Sequence, residues 1–372
     1  MKNFFVIYQR YLDEINNSVI IGGLQTYIEN LVPIITKLDY HVTIIQHSNY
    51  DFCKDLMPNF QVVGVATRNK NKHTDLVKKA RSLGDTENDI LLFTTTTLVC
   101  KHNFKKSIAI QHGIYWDCET IHGKKVKFPF DMLLKYIQSF KEYKLVHKVD
   151  KIVCVDNNYV NWYRAGFLDR KLNYEVIPNF ADIAAQGGRK HKENADGKIK
   201  IIFARRFEPI RGVELLPEII DTLSGKYNNV YFTLAGKGSR LNFLKEKFAG
   251  YGNVEFKEYA PSEAISMHKE FDIAIVPTIA SEGTSFSLLE AMAAGCAVVC
   301  SDVGGMANII LDEYNGLIVK PRAKCFIDAI SKLIENDGLR NSIVDKALET
   351  VRVSFCKEKW ERSWIDVIKG LE

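Results

Sequence analysis

The sequence lacks the cysteine spacing that builds disulfide scaffolds or zinc sites. Its eight cysteines include no C-x-x-C pair, and three of them stand in apolar runs, where cysteine acts as a small hydrophobic residue. We therefore expect reduced thiols and a cytoplasmic protein. No run of about 18 apolar residues that could span a membrane is found. The first residues become polar too soon for a secretory signal peptide.

Repeats and low-complexity tracts are also missing, and the charge is mixed. The 372 residues are 46% hydrophobic and 26% charged, which is enough apolar mass for two domain cores. The net charge of +5 is uneven, because residues 101–151 hold 11 basic and 5 acidic side chains. This region is either a solvated basic face or an attraction for an anionic surface or acceptor. Without a basic motif interleaved with aromatic residues, we expect no nucleic-acid partner.

Short apolar runs alternate with longer amphipathic segments along the whole chain. Runs of this kind are typical of parallel strands buried on both faces of a sheet, with helices between them. The clearest predicted strands are Phe4–Tyr8, Val42–Gln46, Ile90–Phe93, Ile108–Gln111, Ile152–Val155, Lys200–Ala204, Val230–Ala235, Ile273–Pro277 and Ala297–Ser301.

A polar, glycine-containing segment at residues 184–198 has no hydrophobic period and indicates a linker. We therefore predict an N-terminal Rossmann-like domain at residues 1–182 and a C-terminal one at residues 183–355. Residues 356–372 form a predicted terminal helix with Trp360 and Trp364 at helical spacing. Either domain is able to receive it, and packing back on the N-terminal domain is one option.

The strongest functional signal lies at residues 281–295, where a strand is followed by a turn of small and hydroxyl residues and then by a helix. Free N–H groups at such a helix start, together with the helix dipole, favour a phosphate. Glu282 precedes the turn and Glu290 lies eight residues later. Both carboxylates are able to accept hydroxyl bonds from one ligand. The competing interpretation is an ordinary helix with an acidic start and a surface glutamate.

Other candidate ligand groups also stand at predicted strand ends or helix starts. Three arginines within residues 205–211 suit a diphosphate better than chance surface ion pairs. Gly236 and Gly238 allow close approach of a ligand, although a plain turn would need them too. Gly22 and Gly23 precede a predicted helix and suit either a phosphate or a simple loop. His112 follows the strand ending at Gln111, where a structural role is the alternative.

Together these motifs resemble retaining glycosyltransferase family four, whose members have the two-domain GT-B fold. The resemblance covers most of residues 200–320 and only scattered points of the first domain. Glu282 and Glu290 match its E-x7-E motif, and Arg206 and Arg211 match the Arg and Lys that hold the donor's phosphates. The chain departs from the pattern with Arg205 in place of a glycine, Arg211 in place of the lysine, and Ser287 where glycine is frequent.

The resemblance implies a nucleotide-diphosphate sugar donor, UDP- or GDP-linked, with no cofactor and no metal; consistently, no D-x-D triplet occurs. Arg206 and Arg211 would neutralise the leaving diphosphate. Glu282 would contact the transferred sugar and Glu290 the ribose, with His112 near the reacting carbon. The implied binding residues are Gly22, Gly23, Arg206, Arg211, Gly236, Tyr259, Glu282, Gly283, Thr284, Ser285, Phe286, Ser287, Leu288 and Glu290.

The acceptor is expected on the first domain. Residues 114–148 combine lysines with an amphipathic helix that contains Met132, Leu133, Tyr136, Ile137 and Phe140. This segment is either a core helix with a basic outer side or a face for the inner membrane surface, where a lipid-diphosphate acceptor of polysaccharide or lipopolysaccharide synthesis would lie. A nucleotide-sugar epimerase and a non-catalytic nucleotide-sugar-binding protein remain alternative functions.

Overall fold

The computed structural model describes residues 1–13, 18–19, 22–67, 73–114, 116, 120–121, 124–125, 127–167, 172–183 and 197–372. The described chain forms two compact units. Unit 1 comprises Met1–His112, Met132–Pro178 and Trp360–Glu372. Unit 2 comprises Gly113–Asp131 and Asn179–Lys359.

Sixteen strands are present in the described residues. They are β1 (Lys2–Tyr8), β2 (Tyr40–Ser48), β3 (Phe52–Met57), β4 (Phe60–Ala66), β5 (Ile90–Phe93), β6 (Lys106–Gln111), β7 (Thr120–Ile121), β8 (Lys124–Lys125), β9 (Lys151–Cys154), β10 (Tyr174–Val176), β11 (Ile199–Ala204), β12 (Val230–Ala235), β13 (Val254–Lys257), β14 (Ile273–Val276), β15 (Ala297–Ser301) and β16 (Leu317–Val319).

Eleven α-helices are found in the same residues, and short 3-10 turns connect several elements. The α-helices are α1 (Gly23–Lys37), α2 (Thr74–Leu83), α3 (Phe130–Val146), α4 (Asn158–Gly166), α5 (Leu216–Lys226), α6 (Leu241–Lys247), α7 (Ala264–His268), α8 (Phe286–Ala293), α9 (Ala323–Glu335), α10 (Asp337–Ser354) and α11 (Lys357–Lys369).

Unit 1 is built on an eight-stranded sheet with the order β10-β9-β6-β5-β1-β2-β4-β3. All neighbouring strands run parallel except the edge pair β3–β4. The central strand β1 is buried from Phe4 to Tyr8, as a sheet covered on both faces requires. Helix α11 completes the core of this unit, where Trp364 donates from Nε1 to the Tyr27 hydroxyl at 2.8 Å.

Unit 2 is built on a six-stranded, wholly parallel sheet with the order β13-β12-β11-β14-β15-β16. One core cluster joins a face of this sheet to α5 and α9, for example through Ile219 and Phe326. A second cluster joins the other face to α8 and α10, for example through Leu288 and Val351. Helices therefore cover both faces, and the chain reverses direction across the sheet between β11 and β14.

The predicted fold class of two doubly wound α/β domains is confirmed. All nine predicted strands are present within a residue or two. The boundary differs in detail, because unit 2 begins at Asn179 rather than at residue 183 and also takes residues 113–131. Residues 184–196 of the predicted linker, and Tyr115 and Asp117 of the predicted acceptor segment, lie outside the described residues.

Candidate functional site

The candidate site lies at the carboxyl edge of the sheet of unit 2, where β11 and β14 are neighbours. Strand order reverses between these two strands, and open α/β sheets bind ligands outside such a reversal. Arg205 directly follows β11, and Thr278 lies two residues beyond β14. The loop from Thr278 to the start of α8 contains Glu282. Topology therefore brings together two segments that are more than 70 residues apart in sequence.

Glu282 is the centre of a dense hydrogen-bonded group. Arg205 donates from Nη2 to both carboxylate oxygens at 2.6 and 2.8 Å. Arg211 donates from Nη1 at 2.9 Å. The hydroxyl groups of Thr278 and Ser285 donate at 2.8 and 3.1 Å, and Arg205 also bonds Thr278. A carboxylate with this many donors is fixed in one orientation.

The electrostatics of this group follow from burial and charge pairing. Burial by itself raises the pKa of Glu282, but Arg205 and Arg211 outweigh it and hold that pKa at about 2. Burial lowers the pKa of Arg211, while Glu282 opposes that change. Glu282 is therefore ionised at neutral pH. Two arginines against one carboxylate leave an excess of positive charge beside the ligand edge.

Close backbone packing fixes the loops that carry these side chains. Gly212 has φ 78°, and an added Cβ would lie 1.7 Å from the carbonyl oxygen of Pro277. Gly304 has φ 52°, and a Cβ there would lie 2.1 Å from the carbonyl oxygen of Glu282. The Gly305 amide donates to that same oxygen at 2.6 Å. Both the main chain and the side chain of Glu282 are thus held.

The start of α8 presents unused backbone donors beside this group. Ser285 is the N-cap residue; its side chain makes no cap hydrogen bond, and its hydroxyl donates to Glu282. The first amides of a helix have no partner within the helix. Asn179 anchors the preceding turn by donating to the Thr284 carbonyl oxygen at 2.5 Å. The turn is therefore rigid, and the amides of its first helical turn are suited to an anion.

Glu290 lies one turn further along α8 and has a different character from Glu282. Burial raises the pKa of Glu290 to about 7, and Arg205 only partly opposes this shift. Glu290 also acts on Tyr259, whose pKa is raised first by burial and then by the charge of Glu290. A carboxyl whose pKa is raised in this way is able to donate as well as accept hydrogen bonds, which suits the hydroxyl groups of a ligand.

The structure separates the predicted arginines. Arg211 bonds Glu282, whereas the Arg206 side chain is exposed. The two guanidinium groups still interact electrostatically. Arg205, which sequence analysis treated as a departure from a glycine, is buried and forms the principal ion pair. The need of a buried Glu282 for a cationic partner is the signal that points to Arg205.

Gly236 lies on the neighbouring strand end with φ 142°, and an added Cβ would lie 2.1 Å from the Arg205 carbonyl oxygen. Gly283 and Thr284 are buried in the loop after Glu282, and Phe286 packs edge-on against Phe180 at 5.7 Å between ring centroids. Leu288 belongs to the core. Because its side chain is buried in the core, Leu288 has only its main chain available for a ligand.

The predicted residues of unit 1 stand at one edge of its sheet. Gly22 caps α1 and Gly23 begins it. His112 follows β6, donates from Nε2 to the Thr94 carbonyl oxygen at 2.9 Å, and packs edge-on against Tyr27. Burial lowers the pKa of His112 to about 4. Its imidazole is therefore neutral at pH 7, with Nδ1 as the nitrogen that accepts.

The described residues also bear on two other kinds of site, metal centres and membrane-spanning helices. No three His, Cys, Asp or Glu side chains converge there in a way that would hold a metal ion. Within the same residues, every helix is too short or too polar to cross a membrane.

Comparison with known proteins places these features in a family context. Residues 188–350 match the family model described as glycosyl transferases group 1. An uncharacterised glycosyltransferase of Methanocaldococcus jannaschii is 26% identical over 92% of this chain and 93% of its own length. The lipopolysaccharide 1,2-N-acetylglucosaminetransferase of Salmonella typhimurium is 26% identical over 46% of this chain and 48% of its own length.

The fold also matches solved structures over the full chain. The crystal structure of Anabaena Alr3699/HepE in complex with UDP-glucose superposes with a TM-score of 0.71 at 14% identity, covering 100% of both chains. The chain is therefore similar to group 1 glycosyltransferases over its second half, and the solved structure shows that it has the GT-B fold.

Proposed function

We propose that this protein transfers a sugar, with retention of anomeric configuration, from a nucleotide-diphosphate sugar to a glycan or lipid-linked acceptor. The observation that carries the proposal is the group around Glu282. Two arginines and the unused amides of α8 stand together at the strand reversal of unit 2. An excess of fixed donors and positive charge at that point fits a diphosphate.

The proposed chemistry follows from where charge develops. As the sugar leaves, its anomeric carbon becomes positive and the departing diphosphate becomes more negative. Fixed donors at the diphosphate stabilise that charge without reorganising. We assign this role to Arg206, which is exposed and available, to Arg211 and to the first amides of α8. No metal ion or cofactor is part of the proposal.

Glu282 has a structural share in this scheme as well as a contact role. Its carboxylate positions Arg205 and Arg211 and already accepts from four side chains. We propose that it contacts the transferred sugar when a sugar hydroxyl takes the place of one of these donors, such as the Ser285 hydroxyl. Glu290 would accept the ribose hydroxyls, and Tyr259 would lie near the base. His112 is neutral and held by its bond to Thr94, so its Nδ1 would accept a hydrogen bond from a sugar hydroxyl.

The donor base and the acceptor are narrower proposals. A matching fold that binds UDP-glucose supports a UDP-linked donor. A relative named as a lipopolysaccharide 1,2-N-acetylglucosaminetransferase supports an acceptor in cell-surface polysaccharide or lipopolysaccharide assembly. The protein would then work at the cytoplasmic membrane surface.

Turnover of a nucleotide-sugar panel tests the proposal. Incubation with UDP- and GDP-sugars, with and without an acceptor extract, should release nucleotide from one donor and faster with the extract. Arg206→Ala should lower that rate about 100- to 1,000-fold, as loss of one charge-stabilising donor does. A sugar epimer without nucleotide release would favour the epimerase. Tight binding without any turnover would favour the non-catalytic nucleotide-sugar-binding protein.

A further inference from the structure

The outer side of α3 in unit 1 combines large apolar residues with lysines. Leu133, Tyr136, Ile137 and Phe140 follow one another at spacings of three and four, which places them along one stripe of a helix. Each is between 40% and 68% exposed. Met132 and Leu134 beside this stripe are 60% and 40% exposed. Contiguous exposed apolar surface of this kind marks an interaction site.

The same stripe continues into a cationic half. Lys141 and Lys144 lie at helical spacing from Ile137 and Phe140, and both are exposed. Lys148 follows two residues after the helix and is also exposed. The Lys144 ammonium lies 4.7 Å from the centre of the Phe140 ring. The outer surface, which we define as residues 132–148 of this stripe, is therefore apolar first and then basic.

The inner side of α3 holds the helix firmly in unit 1. Ser139, Glu142 and Val146 recur at spacings of three and four and are buried. Tyr143 stacks on Phe167 of the segment after α4, with 4.2 Å between ring centroids. The outer surface is thus presented by a fixed element rather than by a loose arm.

We propose that the outer surface of α3 docks on an anionic lipid bilayer, with its apolar half entering the interfacial region and its lysines contacting the headgroups. An amphipathic helix lying in a bilayer surface uses this combination of buried apolar side chains and basic residues. Lysines near an anionic membrane each strengthen binding.

Charge complementarity selects a bilayer over a second copy of the chain. Two copies paired in parallel through this surface would bring Lys141, Lys144 and Lys148 against their own counterparts. An antiparallel pair centred on the apolar half would cover that half but would leave the lysines of both copies without an anionic partner. An anionic bilayer satisfies both halves together. This proposal rests on the proposed function in one respect only: a lipid-linked acceptor would lie in the bilayer on which α3 docks.

Vesicle flotation tests the docking surface. Wild-type protein should bind vesicles of 50% phosphatidylglycerol and 50% phosphatidylcholine, and binding should weaken strongly between 50 and 500 mM salt, because added salt screens the lysines. Leu133→Ser with Ile137→Ser should weaken binding at least tenfold, since each removes a large apolar side chain that would enter the bilayer. The triple change Lys141→Ala, Lys144→Ala and Lys148→Ala should weaken it about 100-fold at low salt.

The matched controls are Val353→Ser, an exposed apolar residue on α10, and Lys37→Ala, an exposed lysine at the end of α1. Both should bind as the wild type does. Thermal melting identifies any variant that fails to fold, and the salt dependence of the wild type then still decides. Equal binding to pure phosphatidylcholine vesicles, or unchanged binding by both α3 variants, would overturn the proposal. Concentration-dependent dimers that the α3 variants abolish would assign the surface to a second copy instead.

Nucleotide release without vesicles separates this proposal from the proposed function. Variants that lose vesicle binding should keep the wild-type rate of donor hydrolysis. Protein that floats with vesicles but turns over no nucleotide sugar would retain the docking surface and remove the enzyme assignment. Protein that releases nucleotide but never floats would retain the enzyme assignment and overturn the docking surface.

Discussion

Arg205 and Arg206 are neighbours in the chain but have opposite environments. Arg205 points inward at the end of β11 and binds Glu282 through one nitrogen to both oxygens. Arg206 is exposed. A buried carboxylate that loses a partner leaves an uncompensated charge, whereas an exposed arginine in water costs little to remove. At the residue scale, stability and transition-state charge are therefore assigned to different arginines.

Arg205→Met should lower the free energy of unfolding by about 3 kcal/mol, because it removes the main cation at a buried carboxylate. Arg206→Met is the matched control and should change that free energy by less than about 0.5 kcal/mol. Urea denaturation at pH 7.5 measures both. Equal effects of the two substitutions would mean that the Arg205–Glu282 pair does not stabilise the fold.

Glu290 gives a pH dependence with a defined sign. Its pKa is about 7 in the folded protein and about 4.5 ordinarily, so the folded state holds the proton more tightly. The stability this adds is complete below pH 4.5 and is lost as the pH rises to 7. Relative to Glu290→Gln, the wild type should lose about 2 kcal/mol of unfolding free energy between pH 5.0 and 7.5.

Urea titrations of the wild type and Glu290→Gln at those two pH values supply the comparison, and only the difference between the proteins counts. Parallel pH profiles would show that Glu290 titrates as an exposed glutamate does.

The sequence predicted the segment that contains Glu282 and Glu290, but it did not predict which arginine pairs with Glu282. The strand–turn–helix pattern and the E-x7-E spacing predicted the position of Glu282 and Glu290. The pairing of Glu282 with Arg205 depends on which of three nearby arginines points inward. That choice is set by strand β11, whose alternation buries residue 205 beside β14, and only the assembled sheet determines it.

At the scale of elements, two glycines have different roles. The loop after β11 requires Gly212, whereas α5 does not require Gly225. Gly212 has a positive φ and lies against the Pro277 carbonyl group. Gly225 lies in α5, and an added Cβ there would meet nothing within 4 Å. The two positions separate backbone requirement from simple helix propensity.

Gly212→Ala should lower the unfolding free energy by more than about 2 kcal/mol, because it combines an unfavourable φ with a backbone clash. Gly225→Ala should raise it by about 0.5–1 kcal/mol, since alanine favours the helix and restricts the unfolded chain. Thermal melting of both variants tests the pair. A tolerated alanine at position 212 would contradict the loop geometry that positions Arg211.

The buried central strands were predictable because their apolar runs are continuous. The missed strands are short or lie toward the sheet edges, as β3, β10 and β16 do. Strand β3 alternates half-buried and exposed residues, but its four apolar residues stand as two pairs around Lys54 and Asp55. They form neither a continuous apolar run nor a strict alternation. Its place in the sheet comes from antiparallel pairing with β4, which sequence periodicity does not encode.

At the scale of the whole molecule, the end of the chain returns to the unit in which the chain begins. Trp364 is fully buried, and Trp360 packs edge-on against Tyr27 at 5.2 Å between ring centroids. Glu372 accepts a hydrogen bond from the Tyr40 hydroxyl at 2.9 Å. The sequence predicted an amphipathic terminal helix but left its receiver open. A helix with two tryptophans fits either core until three-dimensional contacts are known.

Trp364→Ala should lower the unfolding free energy of unit 1 by about 3–5 kcal/mol, as large-to-small changes in a core do. Hydrogen exchange read by mass spectrometry should show faster exchange in β1, β2 and α1, with unit 2 unchanged. Val353→Ala, at an exposed position of α10, is the control and should leave both units as they are. Faster exchange confined to unit 2 would show that α11 packs in the core of unit 2, which would contradict its place in unit 1.

The proposed sugar transfer depends on a diphosphate site at the carboxyl edge of unit 2. Calorimetric titration of the intact protein with UDP, GDP and the parent nucleosides measures that site directly. We expect one diphosphate to bind at least about 100-fold more tightly than its nucleoside, because in the proposed site the arginines and helix amides would contact only the phosphates. Arg206→Ala should remove at least tenfold of that difference. Equal affinity for nucleoside and diphosphate, or a diphosphate affinity unchanged by Arg206→Ala, would contradict it.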